Sequence, residues 1–176
     1  MSVREHNYWT GVRKELLRLA EGNQVLSMIN EGEYFGGKSR TEGQEFAAGI
    51  LLDRRNLLRQ EYYEATGKPP DIDPDTGTEI SGKKNGSGDG GFRYSASKTG
   101  AIDSSHKEAR GVDDSDQDDA FDTWLDQFEV PMPDGQPGDN TKLEEYGLYR
   151  EHPSTTPTWC HLTTRAPGSG KRTFYP

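Results

Sequence analysis

Residues 67–91 constrain the chain more than any other stretch. They run from Gly67-Lys68-Pro69-Pro70 through Asp71, Asp73, Pro74, Asp75 and Gly77 to Ser81-Gly82-Lys83-Lys84-Asn85-Gly86-Ser87-Gly88-Asp89-Gly90-Gly91. A segment so rich in glycine, proline and aspartate cannot bury a core, and it reads as a loop or linker. It divides the chain into a part patterned for helices and a part patterned for short strands. Three regions are expected: a helical region over 1–66, an exposed Gly/Asp-rich linker over 67–91, and a folded domain over 92–176.

Before the break, Tyr8, Val12, Leu16, Leu19 and Ala20, then Val25, Met28 and Ile29, recur at helical spacing. They predict an amphipathic helix over 7–30, which Gly22-Asn23 divides or leaves whole. Residues 31–39 read as a turn-rich connection. Thr41 followed by Gln44 has the pattern of a capping box, so a second helix is expected over 42–66, with Phe46, Ile50, Leu57 and Tyr62 as apolar residues and Gly67 as its stop. The first third is thus a helical hairpin.

After the break, short strands are expected between Phe92 and Val112. The acidic run that follows (Asp113, Asp114, Asp116, Asp118, Asp119, Asp122, Asp126) is not a calcium loop. Counted from Asp114, Asp119 stands where the loop's turn needs Gly, and Leu125 where a bidentate Glu is needed. Acidic residues instead suit the positive end of a helix dipole, and Phe121, Trp124, Leu125 and Phe128 make one apolar face. Val130-Pro131-Met132-Pro133 ends that helix. A short helix over Leu143–Leu148 follows, stopped at Gly147. Residues 148–150 and 159–163 then read as two strands of a hairpin. The fold class is α+β: an N-terminal helical hairpin, then a small antiparallel sheet with flanking helices.

Bulk properties narrow the function. A chain of 176 residues has room for one domain of ordinary size. Its 30% hydrophobic content and mean hydropathy of −1.00 leave a thin core. The formal net charge of −9 argues against free nucleic acid as a partner. No apolar run has the length of a membrane span. Met1-Ser2-Val3-Arg4-Glu5-His6 carries no secretion signal, so synthesis in a cytoplasm is expected. Cys160 is the single cysteine, which excludes an intrachain disulfide. Gly168-Ser169-Gly170-Lys171 is no phosphate loop, since Arg165 and Arg172 occupy positions that need Gly and Ser/Thr.

The residues that carry chemistry are His106, Asp113 and His161. Two imidazoles and a carboxylate suffice for an open zinc site whose fourth position is left to water. On spacing alone each has an ordinary alternative: a solvated loop His, an N-capping Asp, a satisfied core His. Cys160, next to His161 on a strand, faces the other way if His161 faces a metal, and is read as core.

The flanking residues add a resemblance. Ser104-x-His106 with Asp113 after it, and the late Trp159-Cys160-His161-Leu162, are similar to the motifs of the zinc D-alanyl-D-alanine carboxypeptidase family, which includes phage endolysin peptidases and shares its fold with the hedgehog signalling domain. Gly91-Phe92-Arg93, after Ser87-Gly88, resembles the family's Ser-Gly-aromatic-Arg segment. The tail over 147–176 resembles a phage and prophage branch. The likeness covers about residues 86–176. The chain departs from the pattern at Ala109, where the family usually has Gly, and at Thr158, where many members carry the Glu or Asp that serves as general base.

The resemblance implies zinc held by His106, Asp113 and His161. Arg93 would grip a substrate carboxylate or a developing oxyanion; an ion pair with the Asp run is its other reading. Ser104 would orient backbone or a neighbouring ligand, and Trp159 would wall the site or sit in the core. Glu151 is the substitute base, with a salt bridge to Arg150 or Arg165 as its other reading, and Asp114 is a weaker candidate. The function implied is a phage-derived zinc metallopeptidase acting on the peptide stems of bacterial cell-wall peptidoglycan. The alternative is a catalytically lapsed member that serves as a structural or assembly component of a phage virion, with other virion proteins as partners. The expected location is the host cytoplasm on synthesis, then the virion or the bacterial cell envelope.

Overall fold

A computed structural model of the protein describes residues 29, 31–67, 91–98, 103–130, 132 and 138–176. Helix α1 (Glu31–Phe35) and the long helix α2 (Glu42–Thr66) come first. A 3-10 turn (Ser105–Glu108) leads into strand β1 (Gly111–Ser115) and helix α3 (Ala120–Asp126). Helix α4 (Thr141–Tyr146), strand β2 (Tyr149–Glu151), a second 3-10 turn (Pro153–Thr155), and strands β3 (Trp159–Thr163) and β4 (Thr173–Phe174) complete the order. The architecture is α+β with one four-stranded sheet in the order β1-β3-β2-β4. The expected helix over 7–30 and the expected linker lie outside the described residues, apart from Ile29, Gly67 and Gly91.

The sheet is mixed rather than purely antiparallel. β3 pairs antiparallel with β1 and with β2, and the expected hairpin forms with Tyr149 opposite Thr163 and Arg150 opposite Leu162. β4, however, runs parallel to β2, with Arg150 opposite Thr173. Residues 164–172 turn the chain at the end of β3 and cross to the far side of β2, so β4 runs opposite to β3 and therefore parallel to β2.

Helix α2 has the predicted limits because its caps are local. Thr41 Oγ1 accepts from the Gln44 amide at 3.2 Å, and Gln44 Oε1 accepts from the Thr41 amide at 2.9 Å. Gly67 ends the helix in the left-handed region at φ 67°. Of the apolar residues named from the sequence, Tyr62 is buried and Ile50 and Leu57 are half-buried. Phe46 is 54% exposed, and the buried positions are Ala48, Leu51, Leu52, Arg55, Asn56, Leu58, Arg59 and Tyr62. Polar residues on the inner face hide the helix's orientation from its apolar pattern, because each is placed by a long-range partner. Arg55 clamps Asp114 of β1 through Nε (2.8 Å) and Nη2 (2.6 Å), with both side chains buried.

Other local expectations are also revised. Residues 31–35 form a helical turn, where a turn-rich connection was expected, before Gly36 and Gly37 take positive φ. Between Phe92 and Arg110 the described residues contain no strand. Residues 92 and 93 instead lie against α1 and the 3-10 turn, donating from the Phe92 amide to Tyr34 O (3.0 Å) and from the Arg93 amide to His106 O (3.3 Å).

The helix after the acidic run forms as predicted and buries Phe121, Trp124 and Leu125, with Phe128 packed beside them. Tyr62 of α2 meets Phe121 and Trp124 edge-on at 5.1 and 5.4 Å. Beneath the sheet, Arg150 is wholly buried among Asp122 (2.8 Å), Glu129 (3.0 Å) and Asp126. The thin apolar core is therefore supplemented by buried charge pairs, which fix geometry more than they add stability.

Candidate metal centre

The sheet register places two of the three predicted ligands side by side. Asp113 of β1 lies directly opposite His161 of β3. Alternation then sends both side chains to one face and their neighbours Asp114 and Cys160 to the other. The third ligand, His106, comes from the 3-10 turn that precedes β1. Ala109 closes that turn in the left-handed region (φ 57°, ψ 35°), where glycine is favoured. This is the position where the resemblance led to the expectation of glycine, and alanine takes the left-handed conformation here. Gly111 is required for another reason. A Cβ there would collide with the Ser105 side chain and stand 3.0 Å from His161 Cε1.

Three atoms converge. His106 Nε2 is 3.1 Å from Asp113 Oδ1, His161 Nδ1 is 2.6 Å from the same oxygen, and the two nitrogens are 3.2 Å apart. All three residues are buried. Each ligand is held from behind. His106 Nδ1 lies 2.8 Å from the Gly91 carbonyl, so that nitrogen carries the proton and donates. His161 Nε2 lies 3.1 Å from Ser105 Oγ and donates to it. Arg93 Nη2 donates to Asp113 Oδ2 at 3.1 Å. With the outer ring nitrogens protonated, the inner atoms are three acceptors facing one another in a buried space. Only a shared cation makes that arrangement favourable, and the cluster can hold a metal ion.

In the absence of metal, a proton takes that place. Burial pulls His161 down, but the hydrogen bond to Asp113 and the charges of Asp113 and Glu151 outweigh it and raise the imidazole above its ordinary value. Burial pushes His106 below the ordinary value, against the pull of Asp113. Burial likewise opposes the charge on Asp113, yet the two histidines hold its carboxyl well below the usual range. The cluster thus favours an ionised Asp113, with His161 holding a proton more readily than His106.

The cluster opens onto a cleft of about 630 Å³, also lined by Arg93, Ser104, Glu151, Trp159 and Arg165. Glu151 lies next to His161, with Oε1 3.9 Å from Nε2 and its side chain 23% exposed. Arg150 turns to the opposite face of the sheet and Arg165 stands by Glu108, so neither pairs with Glu151. Asp114 also points away and is occupied by Arg55. Thr158, singled out in the sequence as a departure at an expected base position, is absent from the lining; its carbonyl accepts from the Asp116 amide at 3.1 Å. Trp159 walls the cleft.

Arg93 pairs with Asp113, the first residue of the acidic run, so the ion pair given as its other reading forms, and it forms at a ligand. It is Ser105, not Ser104, that touches a ligand; two adjacent serines differ in no way that sequence alone reveals. A second acidic group, Asp116, Asp119 and Asp122, is accounted for by the start of α3, since Asp116 accepts from the Phe121 and Asp122 amides at 3.0 and 2.9 Å. Among the described residues no helix is long and apolar enough to cross a membrane.

Fold and site together define an α+β protein with a buried His-Asp-His cluster at the floor of an open cleft. No protein-family model matches the chain, and no curated protein or solved structure matches it.

Proposed function

We propose that the protein is a phage-derived zinc metallopeptidase, of hedgehog/DD-peptidase type, that cleaves peptide stems of bacterial cell-wall peptidoglycan. The observation that carries this reading is the set of three inward-facing acceptors at the floor of a cleft, each tied from behind. Two of their separations, 3.1 and 3.2 Å, are near the ~3.3 Å expected between donors placed tetrahedrally at zinc bond lengths, and the third, 2.6 Å between His161 Nδ1 and Asp113 Oδ1, is a hydrogen-bond length that has to open for an ion to enter. Two imidazoles with one carboxylate are a zinc donor set of catalytic type, with the fourth position open to the cleft.

When bound, zinc supplies an acidified water and polarises the scissile carbonyl. The remaining work falls to the chain. Glu151, beside His161 and partly exposed to the cleft, takes the proton from the attacking water and returns it to the departing amine. Arg93, paired with the outer oxygen of Asp113, steadies that ligand and adds positive charge to the cleft wall. Trp159 offers an apolar wall to the peptide.

The test is digestion of purified cell wall by the metal-loaded protein, with and without chelator, followed by release of new amino termini. Glu151→Gln should lower the rate on the order of a hundred- to ten-thousand-fold while metal content stays the same. An unchanged rate would remove Glu151 from the reaction.

A second reading has its own support. Thr158 occupies the usual base position and does not reach the cleft, which suits a lapsed enzyme kept as a virion component. Metal binding without cleavage, together with cleavage gained in Thr158→Glu, would favour it.

A further inference from the structure

Building on the hydrolase reading, we infer that Arg165 recognises a carboxylate of the peptide substrate, so that the cleft selects anionic peptides. Among the described residues, two guanidinium groups line the cleft, Arg93 and Arg165. Arg93 is turned inward: its side chain is 11% exposed and it neutralises the outer oxygen of Asp113. Drawing it toward a substrate would loosen a metal ligand.

Arg165 is held differently. It lies two residues beyond β3, the strand that carries His161, and its amide donates to Thr163 Oγ1 at 3.0 Å. Its Nη1 donates to the Asp103 carbonyl at 2.6 Å, just ahead of the turn that carries Ser105 and His106. The side chain therefore spans the two segments that bring the histidines together. It is nonetheless 41% exposed. Its carboxylate neighbour, Glu108, is 3.7 Å away and half exposed, a pairing that water largely screens.

One nitrogen of the fork is occupied. Among the described residues no partner is found at Nε or Nη2, which leaves donors for a carboxylate of a ligand. Space exists for one, since a Cβ added at nearby Gly168, which also lines the cleft, would meet nothing within 4 Å. In a chain of net charge −9, an anionic peptide is otherwise repelled, so a local cation decides whether it enters.

The carboxylate has two sources, the C-terminus of the peptide or an acidic side chain, and the experiment separates them. Binding of N-acetylated tetrapeptides to the full-length, zinc-loaded protein is measured by calorimetry. One pair of peptides differs only as C-terminal acid and amide, the other only as Glu and Gln within the peptide. We expect at least one acid to bind about tenfold or more tightly than its neutral twin. The pair that shows the preference identifies the source.

In Arg165→Gln the ratio should fall to about one. In Arg165→Lys, which keeps the charge without the fork, it should be partly retained. Metal content equal to that of the unmodified protein is the folding control, and if Arg165→Gln loses metal the decision passes to Arg165→Lys. No acid preference in either pair, or a full preference surviving in the variants, overturns the proposal. Hydrolysis is followed in parallel. Acid-selective binding without cleavage sinks the hydrolase reading and leaves the anion site standing; cleavage without acid selectivity does the reverse.

Discussion

Ser105 and His161 show how closely the site depends on single atoms. The Ser105 hydroxyl accepts the outer proton of His161 and so leaves Nδ1 bare toward the cluster. Removing it frees the ring to turn, with only Glu151 at 3.9 Å as a replacement. Ser105→Ala should weaken metal affinity by about ten- to a hundredfold, read by titration against a chelator of known strength. Equal affinity would mean that packing alone holds the ring.

The pH dependence of binding is decided at the same atoms. A proton and a metal compete for the cluster, and His161 is raised above the ordinary imidazole value of 6.5. Competition therefore begins above that value: occupancy is full at alkaline pH and falls as pH drops through the raised His161 range. Asp113, held low, stays ionised throughout this window. Metal analysis after dialysis at a series of pH values checks this, and undiminished occupancy well below pH ~6 would contradict it.

Among the elements, the joint between α2 and β1 rests on one buried pair. Arg55 and Asp114 are both almost wholly inaccessible, and each is the other's ion-pair partner. Loss of Arg55 leaves the Asp114 carboxylate without its guanidinium in the interior, so Arg55→Met should cost about 3–5 kcal/mol, and Asp114→Asn should cost less because Arg55 keeps other contacts such as Asn56. The double replacement Arg55→Met with Asp114→Leu should recover most of the loss, since two apolar side chains remove the charge problem together. Chemical denaturation gives all three values; additive losses would show that the pair is not coupled. Because Asp114 adjoins Asp113, the joint also sets the height of β1 relative to the cleft, and the single variants should bind metal more weakly as well.

At the scale of the molecule, the cluster ties segments far apart in the chain. His106 and Asp113 lie 55 and 48 positions from His161, and the Ser105–His161 contact joins the same turn to β3. Metal that binds only the folded state raises stability with the logarithm of its concentration, by roughly 4 kcal/mol at a thousandfold excess over its dissociation constant. The melting temperature should therefore climb with added zinc and drop with chelator, and a His106→Ala, His161→Ala protein should respond to neither. A flat melting temperature in the unmodified chain would show that the folded cluster does not take the ion.

The sequence by itself determined what depends on neighbours in the chain. Thr41, Gln44 and Gly67 set the ends of α2, because caps act within one turn. The spacing of Phe121, Trp124 and Leu125 set the inner face of α3. Residue chemistry marked His106, Asp113 and His161, since few side chains can ligate a metal. The tertiary structure decided everything that needs a distant partner. Asp114 and the sheet chose the inner face of α2, the return through 164–172 made β4 parallel, and the β1–β3 register put Asp113 against His161. Tertiary packing also chose Ser105 rather than Ser104 as the partner of His161, and chose Asp113 from the acidic run as the partner of Arg93. Hydrogen bonds across 20 to 60 residues leave no period in a sequence; they exist only once the strands have met.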